Sequence, residues 1–158
     1  MQRAVNAPSG WYMPYLDKPW AAVPQPPQSY TCGELMRAVH LDLFGLDSPP
    51  IAVADATDGR GCLSAMSNPA FYGLRLLAQH EQPRTFDVVF FARAGRADHV
   101  GIVCESTDGL LALHCAQNMG VRLDGMGDLR GGWGFRRMIY WRHANIDAAL
   151  ELRGWLRG

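Results

Sequence analysis

A thiol does nucleophilic chemistry as its thiolate, and the sequence sets Cys32 where that form is favoured. Thr31 precedes it and Glu34 lies three residues beyond Thr31, the capping-box pattern in which each side chain satisfies an orphan N–H at a helix start. Cys32 then occupies the first helical position, against the positive end of the helix dipole. A thiol nucleophile also needs a base within hydrogen-bond reach and a third group to orient that base. Five histidines are available: His40, His80, His99, His114 and His143. His40 and His80 fall on predicted helices and read as polar-face residues; His143 ends the last predicted strand. His99 opens one predicted strand and His114 nearly closes the next, so in a hairpin the two rings can lie side by side on one face. If that face covers the Cys32 helix, Cys32, His99 and His114 meet at one point. Taken singly, each histidine reads as a structural residue and Cys32 as a small core residue. Zinc held by the same three side chains is a weaker alternative, because no pair has helical or knuckle spacing.

The elements that must position these groups are legible in turn. Residues 1–31 carry Pro14, Pro19, Pro24, Pro26 and Pro27 among Trp11, Tyr12, Tyr15 and Trp20. The prolines forbid regular structure, and the aromatic residues point to a segment packed on the domain of residues 32–158. Leu35, Val39 and Leu43 recur at helical spacing, and Gly45 is a stop. Residues 46–67 read as a loop, with Pro49-Pro50 and Gly59-Arg60-Gly61 as breakers; Asn68-Pro69 starts a second helix running to about Gln79. The texture then changes to strands: Val88–Phe91, His99–Val103 and, after the Asp108-Gly109 turn, Leu110–Cys115. Residues 116–132 read as loop with a brief strand at Val121–Leu123. Phe135–Arg142 closes the sheet, and a short helix begins near Asn145. Helices followed by an antiparallel meander give a single α+β domain.

Composition narrows the function classes. Fifteen basic residues balance fifteen acidic ones, so no global field attracts nucleic acid or an anionic membrane. Arg130, Arg136, Arg137 and Arg142 interleave with aromatic and aliphatic residues and read as the solvent face of a strand. The four cysteines (Cys32, Cys62, Cys104, Cys115) contain no C-x-x-C pair, which argues against a zinc knuckle, while a Cys104–Cys115 disulfide between neighbouring strands is open. No segment reaches membrane-spanning length and no apolar leader opens the chain, so membrane insertion and a classical signal peptide are not expected.

The runs Tyr15-Leu-Asp-Lys-Pro-Trp20, Tyr30-Thr-Cys32-Gly-Glu-Leu35 and Leu43-Phe-Gly-Leu46 resemble the opening of NlpC-type cysteine peptidases, nearest the branch found in phage tail assembly proteins. Phe86-Asp87-Val-Val-Phe-Phe91 followed by Asp98-His99-Val-Gly-Ile-Val103 is similar to that family's histidine signature, and Met138-Ile-Tyr-Trp-Arg142 to its closing strand. The resemblance runs from about Tyr12 to Arg142. It implies a papain-like α+β fold and hydrolysis of amide bonds in bacterial peptidoglycan stem peptides, with no cofactor and no metal. In that reading Cys32 is the nucleophile, His99 the base and then the acid, and His114 the orienter. The Cys32 N–H contributes to the oxyanion hole. Localisation would be a phage or prophage tail, or the cytoplasm of the producing cell, with tail-tip proteins as partners.

Three features depart from the family pattern. Thr31 stands where Asp is usual, a mild change because both cap helices. Trp20 stands where Tyr is frequent, and an indole donates a hydrogen bond but accepts none; Trp20 reads as a wall of the substrate groove. The His99–His114 spacing is a few residues long, as a longer hairpin loop would make it. The other readings are a catalytically silent tail-tip assembly protein of the same fold, favoured by Thr31 and Trp20, and an exported cell-wall amidase toxin.

Overall fold

The structure, a computed structural model, describes residues 2–50, 67–93 and 96–158. The first helix, α1 (Cys32–Phe44), begins where the capping pattern places it. Thr31 is extended, and its Oγ1 accepts the Glu34 N–H at 3.2 Å. The Glu34 carboxylate pairs with Arg37 at 2.8 Å, one turn on. Gly45, left-handed at φ 65°, ends the helix; its N–H bonds to Leu41 and that of Leu46 to His40, a Schellman-type stop. Leu35, Met36 and Val39 form the buried face.

Among the described residues there are eight strands, of which those within 88–93, 96–106, 109–116 and 137–143 follow the expected texture. Two short ones, β1 (Ala4–Val5) and β8 (Leu156–Arg157), pair and tie the two ends of the chain together. The other six are β2 (Leu74–Leu76), β3 (Val88–Arg93), β4 (Arg96–Ser106), β5 (Gly109–Ala116), β6 (Gly120–Gly125) and β7 (Arg137–His143). They form one antiparallel sheet in the order β2-β7-β3-β4-β5-β6. The molecule is therefore α+β.

Strand alternation sorts the core into two layers. Phe90, Val100, Ile102, Leu113 and Cys115 face α1, and Ile146 and Leu150 of the C-terminal helix α3 (Ile146–Arg153) join them. Val89, Phe91, Val103 and Ala112 face the other way, under Leu129 of the helix α2 (Met126–Gly131) and Phe135. The N-terminal segment contributes Trp11, Tyr15 and Tyr30 to the α1 side. Trp11 meets Phe86 with ring centroids 4.6 Å apart, and Tyr15 donates its hydroxyl to Asp42 at 3.0 Å.

Several expectations are corrected. The second helix reduces to a 3-10 turn, Pro69–Tyr72, ended by Gly73 at φ 77°; the chain then enters β2 instead of running helically to Gln79. A Cβ at Gly73 would lie 2.8 Å from the His143 ring, so the ring fills the space a helical side chain would need. The sheet is not a simple meander, because β7 returns past β4–β6 to pair with β3. β3, whose residues Val88–Ala92 are buried, thereby pairs its backbone groups on both edges, with β4 and with β7. Residues 116–132, expected as mainly loop, hold all of β6 and α2. Arg142 is not on a solvent face. It is 3% exposed, with Nε and Nη2 each 2.8 Å from the Asp87 carboxylate and Nη1 2.9 Å from Glu81. His40 is buried rather than on a polar face, and its ring nitrogen Nε2 donates to the Phe86 carbonyl at 3.1 Å. Cys104 and Cys115 are free thiols. Cys104 sits opposite Leu111, so Cys115 lies four residues farther along β5, about 13 Å at strand rise and too far to bridge. Cys62 and most of the 46–67 loop lie outside the described residues.

Candidate active site

The two strands that carry the histidines are held in a fixed register. Gly101 of β4 faces His114 of β5, so His99 lies diagonally across from His114 on the same face. Their rings meet: His99 Nε2 is 2.9 Å from His114 Nδ1. A Cβ at Gly101 would come within 3.0 Å of the Leu113 carbonyl and 3.3 Å of both His114 Cβ and the Phe91 ring. Glycine there leaves room for the rings. Opposite His99 the ladder is irregular: Phe91 pairs with His99 and Ala92 with Ala97, which leaves Asp98 as an extra residue. Such bulges raise the local twist and re-aim neighbouring side chains.

The contact continues beyond the pair. His114 Nε2 is 2.7 Å from Asp124 Oδ2 on β6. Arg122 clamps that carboxylate from the far side, with Nε 2.9 Å from Oδ2 and Nη2 3.0 Å from Oδ1. Aromatic rings wall the relay. His99 stacks on Phe135 at 5.4 Å with planes 4° apart, and Trp133 meets His114 edge-on at 5.1 Å. Arg93 lies over the outer side of Phe135, 4.2 Å from the ring centre, and bonds the Trp133 carbonyl at 2.9 Å.

These surroundings fix the charges. Burial, with His114 and Arg93 nearby, holds His99 well below its usual pKa, at about 3. Burial lowers His114 too, against the opposing pull of Asp124. Hydrogen bonding from Arg122 is the main reason Asp124 stays below the ordinary carboxylate range. At neutral pH the relay is therefore two neutral imidazoles ending on a carboxylate. A neutral ring held so low takes up a proton only where a negative charge forms beside it, as a thiolate or an oxyanion does.

Cys32 arrives from elsewhere. Pro19 accepts the Tyr30 N–H at 3.1 Å and Tyr30 accepts that of Ala21 at 3.0 Å, so the Trp20–Tyr30 bridge sets the chain just before Thr31. Cys32 is half-buried at the head of α1. Cys115, 3.4 Å from the Tyr30 carbonyl, is pushed up to about 12 by burial first and then by the charge of Cys32 close by. Burial also raises Cys104. Cys32 thus lies at the end of β5 where Cys115 follows His114.

The expected residues are therefore brought together in part. His99 and His114 touch. Cys32 reaches the same end of the β4–β5 ladder, but on the α1 side, while the two histidines alternate with the α1-facing residues and belong to the Phe135 side. Trp20 is half-buried and packs at the margin of the α1-side core. Among the described residues no group of three or more His, Cys, Asp or Glu is placed to hold a metal ion. Asp124, Arg122, Trp133 and Phe135 escaped the sequence reading. The signal for Asp124 was present: across the turn at Asn118–Gly120, position 124 falls diagonal to His114 once β6 runs its full length. Comparison with models of known protein families and with curated proteins finds no match for the chain.

Proposed function

We propose that the protein is a cysteine peptidase or amidase of papain-like, NlpC-type fold that hydrolyses amide bonds in peptidoglycan stem peptides, carried on a phage or prophage tail. One observation carries this reading: the His99–His114 contact lies at the end of the ladder where the capped helix delivers Cys32. In this reading the twist added at Asp98 turns the His99 ring towards the strand end that Cys32 reaches from the α1 side.

In the proposed reaction the Cys32 S–H gives its proton to His99, and the thiolate forms a bond to the amide carbonyl carbon. The oxyanion so formed takes the Cys32 backbone N–H at the helix start. As the C–N bond breaks, His99 returns the proton to the leaving amine; water then hydrolyses the thioester and regenerates the thiol. Trp20 walls the groove, and no cofactor takes part.

The test is incubation of purified peptidoglycan with the protein, reading new free amino groups and the masses of the released fragments. The parent should release stem-peptide fragments, and Cys32→Ala and His99→Ala should release none. No release by the parent would overturn the reading. A second reading, a catalytically silent tail assembly protein, is favoured by one observation: the two histidines lie on the sheet face away from α1. Under it, His99→Ala lowers stability and the parent leaves the wall intact.

A further inference from the structure

We propose that Asp124, locked by Arg122, is a positioning residue that sets the tautomer of His114 and, through it, the tautomer of His99. The inference rests on the peptidase reading for its functional meaning, but its geometry stands apart from it.

The proton positions follow from one another along one chain of contacts. Both Asp124 oxygens already accept from Arg122, whose guanidinium can only donate. An ionised carboxylate also only accepts, so the 2.7 Å contact at Oδ2 requires His114 to carry its proton on Nε2. His114 is fully buried and neutral at neutral pH, so that proton is its only one and Nδ1 is a bare lone pair. The 2.9 Å contact then requires the proton of His99 to be on Nε2. His99 is neutral as well, which leaves Nδ1 as its one free basic atom. Each step follows from the previous one, and the starting point is Asp124.

Without Asp124 no contact among the described residues specifies this order. His114 could move its proton to Nδ1 and donate to His99 Nε2, and His99 would then carry its proton on Nδ1, where a base must have none. Trp133 and Phe135 hold the rings in place, but an aromatic wall cannot choose between tautomers. Arg122 contributes by fixing both carboxylate oxygens, so that Asp124 cannot swing off His114. When His99 becomes an imidazolium during turnover, its Nε2–H still has a neutral acceptor, with a full negative charge one residue beyond. This is the logic of a buried carboxylate behind a catalytic histidine, displaced here by one imidazole.

The experiment is a two-bond proton–nitrogen correlation on the full-length protein labelled with 15N-histidine, at neutral pH. The parent should show His99 and His114 both as Nε2–H tautomers. In Asp124→Ala both rings should shift towards Nδ1–H or a mixture. Asp124→Asn, which can keep an acceptor oxygen on His114, should retain more of the parental tautomers. If the peptidase reading holds, Asp124→Ala should also lower kcat with little change in KM, by less than the roughly 10⁴-fold that follows loss of a carboxylate directly behind a catalytic histidine, because Asp124 acts through His114. An Nδ1–H on either ring of the parent overturns the inference. So do unchanged tautomers in a folded Asp124→Ala. If that variant fails to fold, the parent spectrum and Asp124→Asn decide. Nε2–H tautomers in a parent that releases nothing from peptidoglycan leave the relay standing and overturn the peptidase reading instead.

Discussion

Trp20 shows how much hangs on a single side chain. Its backbone is tied to Tyr30, two residues before the thiol, and its ring packs at the margin of the core. A ring that only walls the groove should tolerate Trp20→Phe with almost no change in kcat, while Trp20→Ala should raise KM. Steady-state kinetics on a stem-peptide substrate separates the two possibilities. A roughly hundredfold fall in kcat for Trp20→Phe would make the indole N–H an oxyanion donor. At this scale the sequence singled out Cys32, Thr31, His99 and His114, because each is a chemically distinctive residue at a recognisable element boundary, and the structure brings His99 and His114 into contact and sets Thr31 as the helix cap. Asp124 was passed over for the opposite reason. It is one of many acidic residues, and only the β5–β6 register gives it a partner.

The elements themselves were legible wherever the pattern had a single solution. Thr31 to Gly45 could only be a capped helix, and Val88–Phe91 could only be a buried strand. Asn68–Gln79 had two solutions, because its spaced apolar residues suit a helix or a turn followed by a short strand. Tertiary contact with His143 and pairing with β7 selected the second. The position of β7 was illegible for a similar reason, since local pattern does not say which edge a late strand joins. Gly101 shows an element serving the site. Gly101→Ala should cost about 1–3 kcal/mol, the range for forcing an extra methyl into a packed site, because the carbonyl of Leu113 cannot give way without disturbing the ladder. Denaturant unfolding reads that loss, and the histidine resonances should move with it. A Gly101→Ala protein of parental stability would mean that the rings are not tightly seated.

Across the whole molecule, two buried groups tie stability to distant parts of the chain. Arg142 on β7 neutralises Asp87, which sits just before β3, and reaches Glu81 in the preceding turn. Removing one member of a buried pair strands the other, so Arg142→Leu should cost about 3–5 kcal/mol in denaturant unfolding. A loss below 1 kcal/mol would show that the pair is solvated. His40 joins α1 to the Phe86 carbonyl beside His143, and burial holds its pKa down to about 4 against an ordinary 6.5. Between those values the unfolded chain binds the proton and the folded one does not, so stability is complete above pH 6.5 and falls as the pH drops towards 4. The loss from this residue is on the order of 3 kcal/mol, and His99 and His114 act in the same direction. Melting temperatures taken from pH 7.5 to 4.5 should fall steadily in the parent and less steeply in His40→Gln, whose amide can still donate to Phe86. Equal slopes would remove His40 from this role.

The central claim is that Cys32, on one side of the β4–β5 ladder, is activated by His99 on the other. The rate of iodoacetamide labelling at each cysteine, followed by mass spectrometry across pH, tests it most directly. In the folded parent Cys32 should react well before Cys104 and Cys115 at mildly acidic pH, where an ordinary thiol, with a pKa near 8.5, is almost unreactive. In His99→Ala its reactivity should move towards the alkaline range of a free thiol. If Cys32 instead labels only as an ordinary thiol does, with a pH profile that His99→Ala leaves unchanged, thiol and imidazole do not work together and the account of the site is wrong.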